Sequence, residues 1–184
     1  MELTKKEPTI FIVAGKSNAG KDTTCEFINS YVKRKGLKSI NLQFSSYVKM
    51  YAKNITNWSG SEDDKPRTLL QILGTEIIRN QIDRKFFIKR IIEDIKVYSY
   101  YFDVITISDA RFPDEINDVV NCFDSVYKIG LARPNFISKL DKEQKVHATE
   151  LALDGYNDFD YYIINDGSID ELNNKIISII DEVI

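Results

Sequence analysis

The residues best equipped for chemistry lie together near the start of the chain: Gly15-Lys16-Ser17-Asn18-Ala19-Gly20-Lys21-Asp22-Thr23. Spaced glycines followed by lysine fit a loop whose backbone amides wrap a phosphate, because glycine takes up positive φ at little cost. The run follows a short apolar stretch, Ile10–Ala14, and opens a helical pattern at Asp22. A helix starting there turns free N–H groups and a partial positive charge toward the same anion. Lys21 is placed to reach the outer phosphates of a nucleoside triphosphate and to neutralise charge as a phosphoryl group moves. Asp22 stands where such loops usually carry a Mg²⁺-binding Ser or Thr, and a carboxylate can hold that hard cation directly or through water. Thr23 offers a hydroxyl to an inner phosphate. A ligand-free strand-to-helix turn would share the glycine spacing, but the strand before it and the helix after it favour the phosphate site.

Ligands of an open parallel sheet gather beyond the carboxyl ends of its strands. Those ends read Gln43-Phe44-Ser45, Ser108-Asp109-Ala110-Arg111, Gly130 to Arg133, and Asn165-Asp166-Gly167. Asp109 is an acidic strand end of the kind that meets Mg²⁺, and Arg111 has the planar fork that clamps a phosphate. An ordinary helix cap beside a solvated arginine is the plainer alternative. Arg67, Gln71, Thr75 and Arg79 recur every four residues and form one polar stripe, with Leu69, Leu70, Leu73 and Ile77 on the other side. That stripe is either a solvated face or a reader of a monophosphate and a base edge. Arg133, with Lys139, Lys142 and Lys145 behind it, suggests a basic flap over the phosphates. His147 and Glu150 fall on one helical turn beside it.

Alternating strands and helices must position these groups. Apolar or alternating runs predict strands at Ile10–Ala14, Ile40–Phe44, Val104–Ile107, Val126–Ile129 and Tyr161–Ile164. Helices are expected over Asp22–Lys35, Ser45–Lys53, Arg67–Ile82, Phe86–Tyr100, Asp114–Asn121, Thr149–Leu153 and Ser168–Ile184. The stretch from Ala132 to Val146 has little periodicity. This order implies an α/β layer fold, a parallel sheet covered on both faces.

Composition narrows the function classes. With 184 residues the chain suits one domain, and 25 basic against 28 acidic side chains leave a net charge of −3. Nucleic-acid binding would want a basic excess or a Lys/Arg-rich run, so none is expected. No stretch approaches the roughly 20 apolar residues of a membrane span, and the polar start is unlike a secretory signal. One histidine and two distant cysteines, Cys25 and Cys122, argue against a zinc site and suggest reduced thiols in the cytoplasm.

As a set, these pieces resemble the deoxynucleoside monophosphate kinases of phages and bacteria, a branch of the P-loop nucleoside monophosphate kinases. The resemblance is carried by Gly15 to Thr23, Leu70-Gln71-Ile72-Leu73-Gly74-Thr75-Glu76, Asp109-Ala110-Arg111-Phe112-Pro113-Asp114-Glu115, His147-Ala148-Thr149-Glu150, and Asn165-Asp166-Gly167-Ser168. It implies a three-layer α/β/α P-loop NTPase fold with a five-stranded parallel sheet whose central strand leads into the loop. Acceptor-binding helices would span about 45–100 and a lid about 131–155 of a single domain. It further implies ATP as donor, a deoxynucleoside 5′-monophosphate as acceptor, and Mg²⁺. Lys21 and Arg133 would stabilise the moving phosphoryl group, Asp109 and Asp22 would serve the metal, and Arg111 would sit where the two pockets meet. Arg67, Gln71, Thr75 and Arg79, with His147 and Glu150, would bind the acceptor, and Asn165 and Gly167 would border the donor's adenine. The family's loops often carry Gly-Lys-Asp, as here. Its broader relatives carry several lid arginines, whereas this lid has Arg133 with scattered lysines. Related kinases are often dimers, so a homodimer is a possible partner.

Two other functions compete. Animal phosphomevalonate kinases also carry Gly-Lys-Asp loops and a Ser-Asp-x-Arg strand end, so another small phosphate ester is a rival acceptor. A regulatory subunit that binds ATP without transferring phosphate is the rival outside the enzymes.

Overall fold

The computed structural model describes residues 3–61, 63–134, 136 and 147–184. Five strands form the sheet: β1 (Thr9–Ala14), β2 (Ser39–Leu42), β3 (Val104–Ala110), β4 (Val126–Ala132) and β5 (Tyr161–Ile164). Their order is β2-β3-β1-β4-β5 and every pairing is parallel, so β1 is central and delivers its end between two neighbours. The expected α/β/α architecture is the observed one.

Alternation along β1 builds both layers. Ile10, Ile12 and Ala14 enter one core and Phe11 and Val13 the other, and all five are fully buried. The second core is closed by α1 (Lys21–Arg34) and α7 (Ile169–Val183), whose Cys25, Ile28 and Val32 meet Leu172, Ile176 and Ile180. Ser168 starts α7 as a capping box with Glu171. The first core is closed by α2 (Ser45–Ile55), α4 (Phe86–Tyr98) and α5 (Pro113–Val120). No helix of the described residues is long and apolar enough to cross a membrane.

Three elements differ from the sequence expectation in ways that shape the site. Strand β3 runs on to Ala110 because a bulge intervenes: Ile12 pairs with Ile107, but Ala14 pairs with Ala110. Such a bulge re-aims side chains, here those around Asp109. Strand β2 stops at Leu42, since Phe44 turns to helical angles at the start of α2. The expected helix over Arg67–Ile82 is two elements, α3 (Arg67–Gln71) and a wider π-helix (Ile72–Ile82), which ends with Asp83 N–H donating to the Ile78 carbonyl five residues back. Stretches of π-helix are rare and cluster at functional sites. The short helix α6 (Ala148–Leu151) precedes β5.

Ile107 is fully buried in the core beneath the site. Ile107→Ala should lower unfolding free energy by about 2–5 kcal/mol in urea titration, with an unchanged denaturant slope.

Candidate active site

The loop after β1 is shaped by close approach. At Gly15, with φ of +151°, a Cβ would lie 2.2 Å from the Leu131 carbonyl oxygen of β4. Asn18 takes the left-handed conformation at φ of 60°, which asparagine tolerates better than most side chains. Gly20 caps α1 with φ of +106°, hard against the Asn165 side chain. Lys21 Nζ donates to the Lys16 carbonyl at 2.8 Å, which folds the lysine back along the loop.

A cavity of about 520 Å³ runs from this loop to the α3/π-helix. Ser17, Asn18, Gly20, Lys21, Asp22 and Thr23 border it on one side, and Arg67, Gln71, Thr75 and Arg79 on the other. Asp109 and Arg111 line it as well. The polar stripe therefore lines a cavity, although Arg67 itself is exposed. The division of its apolar partners is corrected: Leu70 shares the cavity face, and Ile77 is exposed instead of packed. Phe87 and Val48 also line this cavity, together with Gln43 from the end of β2.

Several expected site residues carry bonds within the fold. Asp109 accepts Phe44 N–H at 2.8 Å and Ser45 N–H at 2.9 Å, one on each carboxylate oxygen, so it caps α2 across the strand ends. Arg79 is largely buried; its Nη2 donates to both oxygens of Asp114 at 2.6 Å, Nη1 donates to the Arg84 carbonyl, and the guanidinium lies 3.9 Å over the Phe112 ring. Burial alone would raise the Asp114 carboxyl, but the hydrogen bonds and charge of Arg79, with Arg84 behind, hold it below the usual carboxylate range. Asn165 Nδ2 donates to the Ala19 carbonyl at 2.9 Å, bracing the loop from behind. Neither Asn165 nor Gly167 lines this cavity or the neighbouring one of about 510 Å³ behind the loop.

That second cavity is bordered by Gly15, Lys16 and Ala19 and by the rings of Phe136, Tyr156, Phe159 and Tyr162. Arg133 borders both cavities and lies 5.0 Å from the centre of the Phe136 ring. Lys139, Lys142 and Lys145 of the expected flap lie outside the described residues. His147 does not line the main cavity; its Nδ1 caps α6 at Thr149, and its Nε2 lies 3.5 Å from Glu76. Glu150 borders both cavities.

The electrostatics follow from burial. The Lys21 ammonium is pushed down to about 8 by burial and then by the Arg111 charge, against the pull of Glu150, Asp109 and Asp22. Among the described residues no cluster of three or more His, Cys, Asp or Glu could hold a metal by itself. Asp22, whose Oδ1 accepts from Gln43 Nε2 at 3.1 Å, and Asp109 are instead two carboxylates lining the same cavity. That donor set fits Mg²⁺, which binds through one or two carboxylates and completes its shell with water and substrate phosphate.

Sequence reasoning missed Glu115, although it lies in one of the motifs. Its Oε2 accepts Arg111 N–H at 2.7 Å and Phe112 N–H at 3.0 Å, fixing the turn that presents Arg111. No local spacing marks a carboxylate as buried. Burial pushes the Glu115 carboxyl up to about 7, with the Asp109 charge adding to the rise and the two backbone hydrogen bonds opposing it. An acid raised in the folded state stabilises it below the unfolded value and loses that contribution as pH climbs through the folded one. Stability relative to Glu115→Gln should therefore fall by about 3 kcal/mol between pH 4.5 and pH 8, read from urea midpoints of the two proteins. A difference that is flat with pH would show that Glu115 is ionised throughout.

Comparison with known proteins agrees with this geometry. The family model described as deoxynucleotide monophosphate kinase matches residues 29–176, well over half of the chain. The chain is 29% identical to the deoxynucleotide monophosphate kinase of Enterobacteria phage T4 over 143 residues, covering 77% of this chain and 54% of that protein. It thus spans about half the length of the phage relative. It is also 26% identical over 174 residues to an uncharacterized protein, ORF77, of Ictalurid herpesvirus 1 (strain Auburn), covering 93% of this chain and 70% of that one. The fold is similar to that of the Mycobacterium tuberculosis APS kinase CysC in complex with AMPPNP and APS, with a TM-score of 0.57 at 12% identity, covering 96% of this chain and 99% of that one. A sugar kinase from Janibacter sp. HTCC2649 is similar at a TM-score of 0.58 and 11% identity, covering 95% of each chain. With its family-model match, five-stranded sheet and loop-to-helix cavity, the chain belongs to the deoxynucleotide monophosphate kinase family.

Proposed function

We propose that the chain transfers the γ-phosphoryl group of ATP in line to the phosphate of a deoxynucleoside 5′-monophosphate. The observation that carries this reading is the single cavity that joins the phosphate loop to the Arg67–Gln71–Thr75 face and is lined by Arg111 as well. A donor's phosphates and an acceptor's phosphate placed at its two ends meet beside Arg111 and Lys21. The acceptor oxygen is already ionised at neutral pH, so no general base is required. Catalysis is then positioning plus neutralisation of charge.

Each side chain has a role of its own in this reading. Lys21 spans the outer phosphates, and Arg111 binds at the junction. Arg133 reaches in from the mouth of the second cavity. Arg67 and Gln71 face the acceptor phosphate and base edge, while Val48, Leu70 and Phe87 give a flat ring its apolar walls. Arg79 acts by holding the π-helix to α5 through Asp114. Asp22 would hold Mg²⁺, with Asp109 at its outer side, and the ion would supply charge neutralisation between the phosphates when bound. These apolar walls favour a nucleobase over a short isoprenoid acid such as phosphomevalonate.

The test is transfer from Mg·ATP to a panel of dTMP, dGMP, dCMP, dAMP, their ribose forms and phosphomevalonate, scoring ADP and diphosphate together. A deoxynucleotide should yield diphosphate, and Lys21→Met should lower kcat/KM by about three orders of magnitude or more. ADP without a phosphorylated acceptor would contradict the reading, and ATP binding without turnover would favour a regulatory protein.

The lowered Lys21 value adds a pH signature. Its cationic form is the one that binds phosphate, so kcat/KM for ATP should decline above pH about 8 and approach a tenfold loss per unit. The same rate held flat to pH 10 would contradict this role for Lys21.

A further inference from the structure

Ser17 N–H and the Arg111 guanidinium converge on one point at the loop edge, and an anion already stands there. Glu150 Oε2 accepts from Ser17 N–H at 2.9 Å, and Oε1 pairs with Arg111 Nη1. Its side chain is only 9% exposed. The same short segment grips the loop a second time, because Asp154 pairs with Lys16 Nζ at 2.8 Å. Arg111 Nη1 also reaches the Thr149 carbonyl at 3.5 Å. Three donors of the proposed phosphate site are thus engaged by residues 149–154, and Glu150 and Asp154 lie 133 and 138 positions from their loop partners Ser17 and Lys16.

The geometry points to Glu150 as an internal anion that occupies the phosphate-binding donors until nucleotide phosphates displace it. This gate rests on the proposed phosphoryl transfer, since it is the transferring nucleotide that would open it. A carboxylate keeps Lys21 and Arg111 from facing each other uncompensated, and it raises Lys21 against the effects of burial and Arg111. A phosphate brings more charge and more oxygens to the same donors and makes stronger charge-assisted bonds. It cannot share the point with a carboxylate, because like charges repel there. Binding therefore releases Glu150 and, with it, the segment's hold on Lys16 and Ser17. Apparent affinity is lowered by the fraction of molecules in the latched state.

The experiment titrates Mg·AMP-PNP and inorganic pyrophosphate calorimetrically into the wild type and into Glu150→Gln, a variant of the same shape without the charge. With about nine-tenths of the wild type latched, the variant should bind both probes about tenfold more tightly. Equal or weaker binding would overturn the gate and make Glu150 a residue that positions Arg111 for the ligand. In the wild type, AMP-PNP should slow amide exchange across residues 15–23 and speed it across 147–154, a readout that does not depend on the variant folding. Slower exchange in both segments would equally overturn the proposal. A wild type that binds pyrophosphate but not AMP-PNP would sink the kinase reading while leaving the anion competition intact. Failure to bind either would sink both.

Discussion

Two cations in a half-enclosed cavity repel each other, and the arrangement of this protein turns on what neutralises them. Lys21 opens α1 after the β1 loop and Arg111 follows the neighbouring strand β3; burial first, and then the Arg111 charge, lowers the lysine's hold on its proton. Water screens such a pair poorly in a buried site. Carboxylates supply the compensation from every side: Asp22 on the loop, Asp109 on β3, and Glu150 from the segment before β5. Phosphates of a substrate would replace part of that compensation. The cavity lining thus holds Lys21 and Arg111 close together although the whole chain carries a net charge of −3.

The sheet brings these groups together because β1 is central and every strand points the same way. Each strand end then delivers its loop to one edge. The bulge that pairs Ala14 with Ala110 lengthens β3 and sets Asp109 where it can cap α2. Asp109 thereby ties the end of β3 to α2, the helix that brings Val48 and Lys49 to the cavity lining. The Arg79–Asp114 pair does the same for the π-helix and α5. Breaking either connection would move these helices relative to the loop after β1, and in the proposed transfer, which relies on positioning, a small displacement is costly.

Local features of the sequence were legible. The run from Gly15 read as a loop between strand and helix because its glycines and lysines are contiguous, and the five strands read as apolar runs between turn residues. The central place of β1 came from family resemblance, since strand order is a long-range property. A helix cap was one reading of Asp109, but that it caps α2 was not legible, because its partners at Phe44 and Ser45 lie 65 and 64 residues away. The stripe from Arg67 to Arg79 was visible, but spacing of four residues does not distinguish an α-helix from the wider helix that continues it. Nor could spacing show that Arg79 is occupied by Asp114, that Glu115 is buried, or that Glu150 folds back on Ser17. Ionic partners chosen across 35 to 133 residues leave no periodic trace.

One cavity for two nucleotides is the central claim, and a ligand that spans it tests that claim most directly. The probe is an adenosine joined through five phosphates to the deoxynucleoside of the proposed acceptor, titrated with Mg²⁺ against ATP and the monophosphate separately. The account predicts a dissociation constant orders of magnitude below that of either nucleotide, because the second set of contacts forms within one molecule. Binding no tighter than ATP alone would place donor and acceptor in separate sites and contradict it.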